Sequence, residues 1–178
     1  MAVHAEPLIT GCDRLAANPP DADRVTIGVA REDVDIPAAI ASCRLARASH
    51  PEVARLSYQL GRVLFYDGQT ERALAAFGQA IDQDYRQAKF LVGLIMTRGY
   101  EGIREDICRV EALWRSSAHQ NHSNAQVSYV SFATGGRFDS CSERASIADM
   151  NAFLDGAEVQ LGYVGGLLIA KLRADLEN

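Results

Sequence analysis

Four cysteines and four histidines carry the widest chemical reach in this chain. Cys141, just ahead of an expected helix, is the best nucleophile candidate, because a helix N-terminus lowers a thiol pKa and His119 or His122 would be the nearby base. Nothing in the sequence positions that base or supplies an oxyanion hole, so catalysis is not expected and no catalytic residue is assigned. His119 and His122 with Cys108 and Cys141 also have the donor atoms for zinc. However, His119-Gln120-Asn121-His122 spans a helix end and a turn, and the cysteine spacings match no familiar zinc pattern, so no metal site is expected. The acidic pairs Asp33/Asp35 and Glu105/Asp106 read as helix caps and first-turn charges. The glycines sit at turns without forming a phosphate-cradling loop, and no cofactor is expected.

The cysteine count is even and allows three pairings. Cys12 and Cys43 fall on the two helices of a degenerate first hairpin, and a bridge between them would pin a short N-terminal helix and enclose the arm from Asp21 to Val34. The expected disulfide is therefore Cys12 with Cys43, worth about 3–4 kcal/mol through loop closure; two reduced core thiols are the alternative. Cys108 and Cys141 could form a second bridge, although Cys108 would serve equally well as a small buried residue.

These residues need elements to place them, and the chain repeats itself at an offset of 37 residues. Ala76/Leu113, Phe77/Trp114, Ala80/Ser117, Ile81/Ala118, Asp84/Asn121 and Ala88/Ala125 all pair at that spacing. Such a period is the mark of stacked helical hairpins. Gly11–Asn18 reads as a short helix stopped by Pro19-Pro20. Asp35 is a plausible N-cap for a helix with Pro37 in its first turn, ending near Ser49. Helices are then expected over Glu52–Tyr66, from a Thr70 cap to Asp84, over Tyr85–Arg98, Arg104–Ala118 and Ser123–Thr134, and again from near Ser146. Asp84 and Asn121 stand where a left-handed backbone residue is needed. Ala157–Leu176 would close the array. The expected architecture is one all-α structural unit of about three and a half hairpins, an α-solenoid. Residues 1–34 would form a short helix and a packed arm, 35–156 the repeats and 157–178 a capping helix.

At these positions the chain resembles the tetratricopeptide repeat and its longer relative, the Sel-one-like repeat. Leu60-Gly61, Leu64, Gly68, Ala73, Phe77 and Ala80 match the 34-residue pattern, and Ala39, Cys43, Ala46 and Pro51 match the second half of a preceding unit. Ala88, Val92-Gly93, Met96 and Gly99, then Ala118, Asn121 and Ala125, look Sel-one-like. Val130 stands where the third unit should carry glycine, and Ser57 where a large aromatic is usual. The resemblance covers about Asp35–Gly136 and implies a protein-interaction scaffold without catalysis. The stretch Cys12–Ala17 with the Gly28-Val29 arm is also similar to the front end of exported bacterial Sel-one-like proteins.

In stacked hairpins the first helix of each unit lines the concave side. That makes Arg55, Tyr58, Arg62, Phe65 and Tyr66, with Lys89, Phe90, Thr97 and Arg98, the expected exposed binding residues, suited to an extended or acidic peptide. The alternatives are a structural protein that self-associates through Tyr163–Leu172 and a cysteine-dependent enzyme built on Cys141. The chain has 18 basic residues dispersed among 23 acidic ones, a net charge of −5, which disfavours nucleic acid. No stretch reaches the ~20 apolar residues of a membrane span. Ala2-Val3-His4-Ala5 before Glu6-Pro7 looks like the tail of a secretory cleavage site, so a periplasmic or secreted location is expected, with an ordinary cytoplasmic start as the alternative. The residues leave the oligomeric state open.

Overall fold

The computed structural model describes residues 7–100 and 102–177. Every regular element among them is helical: α1 (Gly11–Ala16), a single 3-10 turn at Arg31–Asp33, α2 (Ile36–Ser49), α3 (Ala54–Tyr66), α4 (Thr70–Asp82), α5 (Arg86–Thr97), α6 (Ile107–His119), α7 (Ser123–Thr134) and α8 (Ile147–Leu176). The cleavage-site motif at residues 2–6 lies outside the described residues. None of the described helices is long and apolar enough to cross a membrane.

Helix starts follow local side-chain chemistry. Thr10 and Asp13 form a capping box on α1, Asp35 caps α2 through the Ala38 amide, Asp106 caps α6, and Ser146 with Asp149 boxes α8. Thr70 is not a cap; α4 begins at Thr70 with Gln69 before it, and Gln69 makes no side-chain capping bond. Helix ends share one device. The amides of Gln69, Tyr85, His122 and Arg137 donate five residues back to Leu64, Ala80, Ser117 and Phe132, closing α3, α4, α6 and α7. The residue before each of those amides has positive φ: Gly68, Asp84, Asn121 and Gly136. This is the Schellman closure, in which a left-handed residue lets two amides satisfy the terminal carbonyls. Asp84 and Asn121 thus do what glycine does at the other two ends.

The chain's contacts fall into two compact units, one ending at Ala88 and the other starting at Lys89. The divide lies inside α5. In the first unit α3 packs chiefly on α4, and α1 lies against both α2 and α3. Gly61 sits so close to Phe77 that a Cβ there would be 2.5 Å from the ring. In the second unit α7 packs on α6 and α8, and Gly93 stands in the same relation to Trp114, with a Cβ only 2.3 Å from the indole nitrogen. Both aromatic side chains are fully or almost fully buried, and the Trp114 indole N–H donates to the Phe90 carbonyl at 3.0 Å. Small residues on one helix and a large ring on its neighbour make these seams.

α8 is not one straight helix. Gly162 breaks it with φ 62° and ψ −163°, a conformation essentially limited to glycine. Arg173 reaches back to Asp155 at 2.5 Å and to Glu158 at 3.3 Å. A continuous helix rises 1.5 Å per residue and would hold those residues far apart, so the chain reverses at Gly162. The expected closing helix accordingly starts at this reversal and not at Ala157.

Candidate functional site

Two disulfides, Cys12–Cys43 and Cys108–Cys141, use all four cysteines. Cys141 is therefore no free thiol, which removes it as a nucleophile and removes both sulfurs from the zinc candidate. The histidines are engaged elsewhere: His122 caps α7 by accepting from the Ala125 amide and stacks on Phe90, and His119 meets Phe153 edge-on. Among the described residues no group of three potential metal ligands comes together.

The expected binding residues are placed differently from expectation. Tyr58, Arg62, Lys89 and Phe90 are buried, Arg55, Phe65, Tyr66 and Thr97 are half-buried, and Arg98 is exposed. Lys89 and Arg98 belong to the second unit, where the Lys89 ammonium donates to Ser116 at 2.8 Å. Arg55, Tyr58, Arg62 and Tyr66 are brought together on one face of α3, and that face is covered by residues 8–29 of the same chain.

Asp13 is the centre of this cover. Its carboxylate is fully buried and accepts from Arg55 Nε at 2.8 Å, from Gln59 Nε2 at 3.1 Å and from the Thr10 amide and hydroxyl at 2.8 Å each. Arg55 also donates to the Leu8 carbonyl. Burial pushes the Asp13 carboxyl up, but the Arg55 and Thr10 hydrogen bonds outweigh it and hold the pKa below the ordinary value of 3.8. Further along, Arg62 donates to three backbone carbonyls, Ala16 at 3.0 Å, Ala17 at 3.1 Å and Val29 at 2.7 Å. Its Nε donates to the Tyr66 hydroxyl at 2.8 Å, and Arg31 lies over the same tyrosine ring. A planar guanidinium with five donors suits this clasp of three carbonyls and a hydroxyl.

The segment is gripped again at its middle. Asn18 donates to the Tyr58 hydroxyl at 2.6 Å, the Tyr85 hydroxyl donates to Asp21 at 2.6 Å, and Arg86 holds Asp23 with two bonds of 2.7 Å. Burial raises the Asp21 carboxyl pKa, an effect the Tyr85 hydroxyl and the Asp23 amide only partly offset. The phenols of Tyr58 and Tyr85 are pushed well above their ordinary value, first by burial and then by the Asp21 charge. Both remain neutral, which keeps the Tyr85 hydroxyl a donor.

Asp13, Gln59, Asp21, Tyr85 and Arg86 escaped the sequence reading as members of this face. The available signal was three aspartates, Asp13, Asp21 and Asp23, ahead of a helix with Arg55 and Arg62 on one side. In the second unit a smaller polar core joins Glu111, nearly fully buried, to Arg115 at 2.8 Å and to the Tyr129 hydroxyl at 2.7 Å. Tyr129 also accepts the Ala145 amide, which fastens the loop between α7 and α8. No known protein family matches this chain, and no curated protein resembles it at a significant level.

Proposed function

We propose that this protein is a noncatalytic peptide-binding or protein-binding scaffold, a stacked array of helix hairpins related to tetratricopeptide and Sel-one-like repeats, working in a periplasmic or secreted setting. The observation that carries this is the recurrence of one backbone device: left-handed residues at Asp84 and Asn121, and again at Gly99 and Gly136, each pair 37 residues apart. The Gly61/Phe77 and Gly93/Trp114 seams support the same repeat logic, and two disulfides fit an oxidising compartment. An acidic partner is suggested by what the α3 face already holds, a segment of the same chain recognised through aspartates and backbone carbonyls.

Arg98 is the exposed member of the expected binding set, so the direct test is site-specific photo-crosslinking from position 98 in the native host. Position 45 serves as control, because Leu45 is 71% exposed on α2. A discrete adduct from position 98 alone supports the scaffold role. Equal labelling from both positions, or none from either, counts against it.

Self-association through α8 is the alternative, favoured by one observation. Val159, Leu167 and Leu168 are 88%, 58% and 43% exposed on a stretch, 159–170, that contains no charged residue. The side chains of residues 163 and 164 in the expected Tyr163–Leu172 surface lie outside the described set. Val159→Asp with Leu167→Asp would abolish any concentration-dependent sedimentation if this face mediates association. Unchanged sedimentation would rule the face out.

A further inference from the structure

The N-terminal segment is held by its own protein as a ligand is held. None of the leucines, isoleucines or valines between residues 7 and 29 is buried, and Ile27 is 90% exposed. The buried residues of the segment are Cys12, Asp13, Ala16, Ala17 and Asp21, all small or polar. Attachment therefore combines close packing of the small residues of α1 on α2 and α3 with polar recognition by α3 and the start of α5, and Cys12–Cys43 is the covalent tie. Residues 30–35, which lead into α2, include no buried residue, so little is lost when that connection changes course. A second copy carries an identical segment, and replacing one by the other leaves every polar contact intact, the condition under which exchange between protomers is inexpensive.

We propose that the α3 face accepts the N-terminal segment of a second copy, giving a reciprocally exchanged dimer in which Cys12 of each chain is bonded to Cys43 of the other. The bonds balance without net oxidation or reduction. Two intrachain disulfides break and two interchain disulfides form, with a small thiol such as glutathione entering as thiolate in the first exchange and leaving in the last. Both sulfurs are fully buried, so the thiol reaches them only when the segment lifts, and the polar clasp sets the rate. Arg62, with three carbonyls of the segment on its guanidinium, is the main contributor.

The test uses the full-length oxidised chain. Unlabelled and nitrogen-15-labelled protein are mixed at high concentration in a glutathione buffer, quenched by alkylation, separated on a non-reducing gel and digested for disulfide mapping. Expected are a covalent dimer and Cys12–Cys43 peptide pairs with one light and one heavy member, while Cys108–Cys141 pairs stay unmixed. Arg62→Ala should speed the appearance of mixed pairs on the order of tenfold or more, the effect of losing charged hydrogen bonds. Asn18→Ala, a milder loosening, should speed it less and keeps the comparison usable if the arginine variant fails to fold. Cys12–Cys43 pairs that remain wholly light or wholly heavy overturn the proposal, as does equal mixing at Cys108–Cys141, which would signify general scrambling. A covalent dimer whose Cys12–Cys43 pairs are unmixed also overturns it.

Discussion

Gly78 and Gly93 are both helical glycines, yet an added methyl should affect them in opposite ways. A Cβ at Gly93 would meet the Trp114 indole at 2.3 Å, and that ring is buried and tied to the Phe90 carbonyl. Gly93→Ala should cost about 1–3 kcal/mol by overpacking. Nothing lies within 4 Å of a Cβ at Gly78, so Gly78→Ala should stabilise by about 0.5–1 kcal/mol through helix propensity; urea titration of both variants checks the pair. The buried aspartates also oppose each other. Asp13, with a depressed folded pKa, contributes stability above 3.8 that is lost as pH falls through its folded value. Asp21, with a raised one, contributes stability that is full below 3.8 and lost as pH rises through its folded value. Asp13→Asn should therefore flatten the acid limb of the stability profile below that value, and Asp21→Asn should flatten the fall just above it. Arg55→Ala leaves the Asp13 carboxylate buried without its ion-pair partner and should cost about 3 kcal/mol. For the same reason, charge reversal at Arg55 or Arg62 would dislodge the N-terminal segment before it reported on any outside partner.

At the scale of elements, the turns were more legible than the faces. Asp84 and Asn121 could be read as left-handed because only a few side chains tolerate that backbone and the repeat demanded it twice. Asn121→Ala should cost about 1 kcal/mol and Asn121→Gly should not, a contrast that thermal unfolding of the two variants measures. The stop of α2 at Ser49 and the cap at Asp35 were equally local matters. The reversal inside α8 was not. Gly162, Gly165 and Gly166 all interrupt the same apolar stretch, and only the ion pairs of Arg173 with Asp155 and Glu158 show that the chain turns back at Gly162. With open space around it, Gly162→Ala should destabilise through backbone strain alone, by about 1–3 kcal/mol. Hydrogen exchange should then show the loss concentrated in α8.

For the molecule as a whole, one disulfide ties α1 to α2 and the other ties the loop after α7 to α6. Intact-mass analysis should find four alkylatable thiols only after reduction. Removing Cys12–Cys43 by a double serine substitution should cost about 3–4 kcal/mol and raise exchange in the arm above that in α3. The all-helical character and most of the places where helices start and stop were written in the sequence, because hydrophobic period, cap chemistry and backbone tolerance act over a few residues; the Cys12–Cys43 bond, 31 residues apart, was one of three pairings the sequence allowed. Tertiary structure alone decided what the polar side chains of α3 would do. Arg55, Tyr58 and Arg62 have the composition of a binding surface, but their partners Asp13, Asn18 and the carbonyls of Ala16 and Ala17 lie about forty residues earlier in the chain. Periodicity shows which side of a helix a residue is on and is blind to what is laid across that side, since a long-range hydrogen bond leaves no trace in the local pattern.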